Sequence, residues 1–387
     1  MNLTICPFSF LALEDFLSYQ QQMLLTLLVL AVASALIGVF LVLRRLSMVT
    51  DALSHTILLG IVLTYFLTKD LHSPLLFIGA GLFGVFTVYS IELLSGTGLV
   101  KNDDAVGIIF PLFFSLAVIL ISMFARNVHL DTDMVLMGQI IMIPLNTVEV
   151  FGLILPKSLV YMLLMLLGNS LFIAIFYKEL KISTFDPEFS VIAGFPSGLL
   201  FYALMILTSF TAVAAFDAVG TVLTIALLAG PAASAYLLTK NLKRMLLVSV
   251  LYGIFNTVIG FYWALAINVS ISGMIALVTG LSLLLTSLFY REGLLTSVYM
   301  RFKRKKTFQM DLLIIHLGSH EFQDDAKEEL GFTSLAGHLN WDKALLDNKL
   351  RKLSAKGYLR SDMSRQIYLL TEKGKLRYNK IRIDYGM

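Results

Sequence analysis

Asp51, Ser54 and His55 stand together in the stretch Ser47-Met-Val-Thr-Asp-Ala-Leu-Ser-His-Thr-Ile-Leu-Leu-Gly60, a polar insertion at the head of an otherwise apolar run. Four apart on a helix, Asp51 and His55 project from one face about one turn from each other, with Ser54 beside them. A carboxylate at that depth is costly unless it faces protein or a watery path. Together with an imidazole it offers oxygen and nitrogen to a divalent ion. The stretch therefore predicts a metal path lined by Asp51, Ser54 and His55, against the plainer reading of a structural hydrogen-bonded pair.

The rest of the chain says what must position these groups. Of 387 residues, 57% are hydrophobic and 14% charged, and the apolar residues fall in long uninterrupted runs. That excludes a soluble domain and predicts a polytopic membrane protein. The net charge of +4 is unevenly divided, with 12 Lys and Arg against 15 Asp and Glu up to Val298 and 18 against 11 from Tyr299 onward. The break predicts four parts: a lead-in over 1–21, a membrane domain over 22–298, a basic linker over 299–306 and a cytoplasmic domain over 307–387. The lead-in lacks a basic segment and a small-residue cleavage site, so a cleaved signal peptide is not expected. With one cysteine, Cys6, neither an internal disulfide nor a thiolate cluster can form within the chain, and any metal must be held by carboxylates, imidazoles, amides or water.

At about 20 residues per crossing, spans are expected near 22–43, 48–68, 74–95, 104–124, 156–176, 196–216, 218–238, 243–265 and 272–289. The apolar stretch 134–155 is interrupted by Gly138, Pro144 and Asn146 and suits a re-entrant or surface-lying segment. With the basic tail cytoplasmic, Lys240, Lys243, Arg244, Lys178, Lys181, Lys101, Arg44 and Arg45 fall on the same side, leaving Lys69, Arg126 and Lys157 outside. This asymmetry puts the N-terminus outside.

The loop Lys178–Pro196 carries a second pattern. Asp186 can cap a short helix beginning at Pro187, with Glu188 in its first turn and Gly194 and Pro196 ending it. Such a helix, lying along the membrane, is the kind of element that receives the push of a separate ATPase, against the plainer reading of a capped loop helix with no special function.

The stretch from Leu43 to Gly60 resembles the signature of the permease family of ABC importers for zinc, manganese and iron. Four further blocks agree in order: Lys101–Phe110, Val128–Gly138, Tyr177–Glu188 and Ala214–Thr239. The His129-Leu-Asp131-Thr-Asp133 run is most similar to the manganese branch. The resemblance implies the importer permease fold and a subunit in a bacterial cytoplasmic membrane, with its C-terminal domain cytoplasmic. It implies a second permease subunit, an external metal-binding lipoprotein and a cytoplasmic ATPase seated on Phe185, Asp186, Pro187, Glu188 and Gly194. It also implies that Asp51 and His55 line the path for manganese, zinc or iron, the cargo of a subunit that keeps no permanent cofactor and is not an enzyme. The sequence holds no phosphate-cradling Gly-x-x-x-x-Gly-Lys-Ser/Thr loop, which leaves ATP hydrolysis to a partner. Gln139 and Asp217 stand where relatives often carry glutamate.

His129, Asp131 and Asp133 alternate in an external loop, placed to collect cations or touch the binding protein, or simply to form a solvated turn. Asp217 opens a span on the outside, as a helix N-cap or a gate. Glu92 is expected to face Lys101 at the inner surface.

The tail reads as a small α+β winged helix-turn-helix. A basic helix with Lys343, Lys349, Arg351 and Lys352 precedes a hairpin and a closing Leu370-Thr-x-x-Gly374 turn, and the pattern resembles the DNA-binding part of diphtheria-toxin-repressor-like regulators. Those cations suit phosphate. Two roles follow: a regulatory module beside the ATPase, or, as an alternative function for the whole chain, a membrane-anchored metal-responsive regulator that binds DNA. His316, His320 and Asp311 are candidates for a cytoplasmic metal site, or ordinary surface groups. The expected whole is an all-α polytopic membrane protein of eight or nine spans joined to this small domain.

Overall fold

The computed structural model describes residues 11–12, 18–70, 73–124, 140–150, 153–290, 293–321, 323 and 326–385. The chain divides into two compact units, Met1–Tyr290 and Arg291–Met387.

Among the described residues of the first unit, nine helices are long and apolar enough to cross a membrane. They are α1 (Tyr19–Leu43), α2 (Ser47–Thr68), α3 (Leu75–Gly96), α4 (Asn102–Phe124) and α5 (Lys157–Ile175), then α8 (Ser197–Val219), α9 (Thr221–Leu238), α10 (Leu242–Ile267) and α11 (Ile271–Phe289), with the short α6 (Tyr177–Phe185) and α7 (Pro187–Ile192) between α5 and α8. The stretch 134–155 makes no span where it is described. Ile140–Leu145 is a 3₁₀ turn containing Pro144, followed by the hairpin β2 (Thr147–Val150) and β3 (Leu153–Pro156), and β1 (Leu11–Ala12) pairs parallel to β3.

Helix α1 packs on α5, α9 and α10, while α2 packs on α3 and α4 and α8 on α3 and α5. Apolar surfaces in lipid gain little by meeting, so such bundles rely on close backbone approach and buried polar bonds. Both are present. Asn169 donates to the Ala33 carbonyl at 3.3 Å and to Thr211 Oγ1 at 3.0 Å, joining α5 to α1 and α8. Ser249 donates to the Ala35 carbonyl at 3.1 Å, and Ser209 to the Gly81 carbonyl at 2.8 Å.

At Gly38 a Cβ would fall 1.9 Å from the Leu228 carbonyl oxygen, so α1 and α9 touch backbone to backbone there. Overpacking typically costs about 1–3 kcal/mol, and more where backbone must part. Gly38→Ala is expected to lower the thermal stability of the detergent-purified chain, and Gly38→Leu to leave no monodisperse peak in size-exclusion chromatography.

Asp217 does not open a span. Its backbone lies in the last turn of α8, and the break comes at Gly220, whose φ of 80° and ψ of 174° suit glycine alone. The helix is thereby carried three residues past the expected end at 216.

The second unit begins with α12 (Leu294–His320), a continuous helix that contains residues 299–306. The expected basic linker is therefore helical: Arg and Lys are good helix formers, and no Gly or Pro interrupts them. Then follow α13 (Ala326–Glu329), α14 (Leu335–His338), α15 (Lys343–Ala355), the antiparallel hairpin β4 (Leu359–Asp362) and β5 (Ile367–Leu370), and α16 (Glu372–Tyr385). Leu313, Ile314, Leu317, Leu335, Leu350 and Ile381 are among the residues of its core. At the hairpin tip, hydrogen bonds from the Ser364 hydroxyl and from the amides of Ser364 and Arg365 hold the Asp362 carboxyl below its usual range. Thr371 closes the fold: its hydroxyl donates to the Gly357 carbonyl and accepts from the Gly374 amide at 3.1 Å.

Candidate functional site

Helix α2 starts at Ser47 and places Asp51 in its second turn, with His55 one turn on. His55 Nε2 lies 3.7 Å from Asp51 Oδ1, and their side chains are 26% and 47% exposed. The imidazole is held on its other side by α4, against the rings of Phe110 and Phe114, each with its centroid 5.5 Å away. Ser54 is turned differently: it is buried, and its hydroxyl donates to the Asp51 carbonyl at 2.5 Å. The result is an oxygen and a nitrogen aimed the same way from an apolar, well-packed helix, on a face the chain leaves half open.

Below this helix a cation bridges three elements. Arg44, between α1 and α2, donates through Nε to Thr184 Oγ1 at 3.2 Å and through its terminal nitrogen to Ser183 Oγ at 2.9 Å. Its guanidinium also lies 5.8 Å from the Phe201 ring centroid. Ser183 and Thr184 belong to α6, so Arg44 ties the foot of α2 to the segment that leads into α7. There Asp186 caps α7, accepting the Phe189 amide at 2.9 Å, and Pro187 takes the first helical position. The helix ends at Ile192, before Gly194. Phe185 at the end of α6 and Phe189, Val191 and Ile192 on α7 are exposed, giving an apolar surface around Glu188.

Other expectations meet the structure differently. Glu92 does not face Lys101; its carboxylate accepts the Tyr202 hydroxyl, across from α3 to α8. His129, Asp131, Asp133 and Gln139 lie outside the described residues, and of Asp217 only the backbone is described. In the second unit, Lys343, Arg351 and Lys352 are exposed on α15, but Lys349 is buried. It shares the inward face of Leu346, Leu350 and Leu353, so it is withdrawn from any phosphate. Asp311 is likewise taken, bound to Arg377 at 2.8 Å. Sequence reading missed Arg44, whose signal was a basic pair at the end of a span, and Tyr202, which no local pattern announces.

Comparison with known proteins bears on this arrangement. A model described as "ABC 3 transport family" matches residues 17–291. The zinc transport system membrane protein TroD of Treponema pallidum (strain Nichols) is 42% identical over 354 residues, 91% of this chain and 96% of its own. The manganese transport system membrane protein MntD of Bacillus subtilis (strain 168) is 43% identical over 265 residues, 68% of this chain and 90% of its own. Among solved structures, a chain of PsaBC from Streptococcus pneumoniae in complex with Fab superposes with a TM-score of 0.61 at 29% identity, covering 75% of this chain and 96% of that one. With the match running over residues 17–291, which hold the nine apolar spanning helices found among the described residues, the chain belongs to the ABC 3 transport family.

Proposed function

We propose that this chain is the membrane-spanning subunit of an ATP-driven importer for manganese or zinc, with Asp51 and His55 in the ion's path. The observation that carries the reading is the half-open face of α2. A carboxylate 47% exposed on a spanning helix is costly against hydrocarbon, which supports a face covered by a second permease subunit or a water-filled path. Two protein ligands make a weak site, which is what passage requires, since an ion in a closed cage would not leave. Hard oxygen and imidazole nitrogen accept manganese and zinc alike, and both metals occur in the names of the relatives.

Membership of the family supports a separate ATPase and an external binding protein as partners. A separate cytoplasmic ATPase seats on Phe185 to Gly194, an external metal-binding protein delivers the ion, and a second permease copy or paralogue completes the path in a bacterial cytoplasmic membrane. The tail is a cytoplasmic winged-helix module that regulates transport. The zinc-named relative supports an association with transport, because its alignment is longer than the whole first unit and so extends into the tail. The family and the relatives are transport proteins, which leaves the DNA-binding regulator, and iron as cargo, without support.

The test is uptake of radiolabelled manganese and of radiolabelled zinc in cells carrying the complete transporter. Uptake of at least one metal is expected to rise above that of cells lacking this chain, with the other competing. No rise for either metal would overturn the reading.

A further inference from the structure

Four titratable groups in the second unit converge on one point that the transport reading does not use. His316 and His320 stand one turn apart near the end of α12, with ring centroids 4.9 Å apart. Glu329, the last residue of α13, brings its Oε2 to 3.4 Å from His316 Nε2. His338, at the end of α14, brings Nδ1 to 3.2 Å from that same oxygen. One nitrogen each from His316 and His320 and one carboxylate oxygen of Glu329 lie within 4.8 Å of one another.

We propose that the second unit holds a zinc-class divalent metal ion on His316, His320 and Glu329, with His338 at the open side as the fourth ligand. The chemistry selects the ion. Three imidazoles with one carboxylate and no sulfur form a borderline donor set that favours zinc over the harder manganese. The pair at i and i+4 on a helix puts both rings over the same spot, as zinc sites commonly do.

The backbone under the cluster is already fixed. Leu313, Ile314 and Leu317 root α12 in the core alongside the histidines, and Leu330, next to Glu329, is fully buried. The Leu330 carbonyl accepts the Tyr368 amide at 3.1 Å, which pins that turn to the hairpin. Zinc bonds of about 2.0–2.2 Å place ligand atoms closer together than 4.8 Å, so binding draws the side chains in around the ion. The ion also has a way in: the Glu329 side chain is 22% exposed and that of His338 37%. Without the ion the same groups make ordinary polar contacts, His316 and His338 at Glu329 Oε2. His316 Nε2 also lies 3.2 Å from the Glu329 carbonyl oxygen, a contact that His316 exchanges for the metal.

The site goes beyond the transport reading and does not depend on it. The full chain, purified in detergent, is titrated with Co²⁺ and then with Zn²⁺ under chelator competition. Wild type is expected to develop the visible d–d absorption of tetrahedral Co²⁺, which an equivalent of Zn²⁺ removes. His316→Ala, His320→Gln and Glu329→Gln should each lose the band and weaken zinc binding by at least on the order of 10–100-fold, the cost known for merely outer-shell partners. Asp51→Asn with His55→Ala should keep it. Circular dichroism and melting of each variant separate loss of ligands from loss of fold, and the conservative changes at His320 and Glu329 are chosen to keep shape. The proposal is overturned if the folded tail variants keep the Co²⁺ band and zinc affinity, or if the band disappears only with the Asp51 and His55 changes. Those last changes bear on the transport reading separately, through uptake.

Discussion

Asp51→Asn and His55→Ala, each in the complete transporter, lower metal uptake on the order of 100-fold while the chain still inserts and assembles. The magnitude separates a metal path from a structural pair. Two partly exposed groups 3.7 Å apart, one turn from each other on a single helix, stabilise a fold by under about 1 kcal/mol. A loss that small leaves nearly all molecules folded. Removing a direct metal contact is a different matter, since even groups that only orient a ligand are worth about 10–100-fold. Asp51→Asn keeps the shape of the side chain and removes the charge. His55→Gln keeps a donor and acceptor beside Phe110 and Phe114 and is expected to recover part of the loss; His55→Ala leaves those rings without their partner. Ser54→Ala should be close to wild type, because that hydroxyl is already spent on the Asp51 carbonyl. Immunoblotting of the membrane fraction and labelled-metal uptake together check the set. Wild-type uptake in both Asp51→Asn and His55→Ala would remove the pair from the path.

What could be read in the sequence was what is local. Spans are legible because each is a continuous apolar run, and the nine spanning helices among the described residues stand within a few residues of the expected bounds. The Asp51 and His55 pair is legible because four residues on a helix make one turn, and the cap at Asp186 because an Asp-Pro-Glu run meets three helix-start preferences at once. The contacts that were missed join distant parts of the chain. Arg44 meets Ser183 and Thr184 some 140 residues on, and Tyr202 meets Glu92 at a separation of 110. Glu329 and His338 come to His316 only through the turns after α12, so the sequence pointed to Asp311, which Arg377 holds instead. Lys349 failed for the opposite reason: a basic residue was read as outward by type, although its register with Leu346, Leu350 and Leu353 points inward.

Ile192→Asp combined with Phe189→Asp is expected to abolish co-purification of the ATPase and, with it, ATP-driven uptake. Both side chains are more than half exposed at the surface of α7, where apolar groups stay in water only for want of a partner. Placing an unpaired charge at the centre of a protein interface costs about 2–5 kcal/mol, or roughly 30- to 3000-fold in affinity. Arg44→Ala should behave otherwise. It leaves α7 intact for docking but cuts both hydrogen bonds from the foot of α2 to α6, each worth about 1.5–3 kcal/mol for a charged donor. The ATPase should then still bind and hydrolyse ATP, with uptake lower by at least about tenfold, because a push on α7 no longer reaches the helix that carries Asp51. Lysine cannot reach two hydroxyls at once through a planar fork, so Arg44→Lys should restore little. Loss of ATPase binding in Arg44→Ala would make Arg44 a support for the docking surface. Retained binding with lost transport would make it the link between ATP hydrolysis and the ion path.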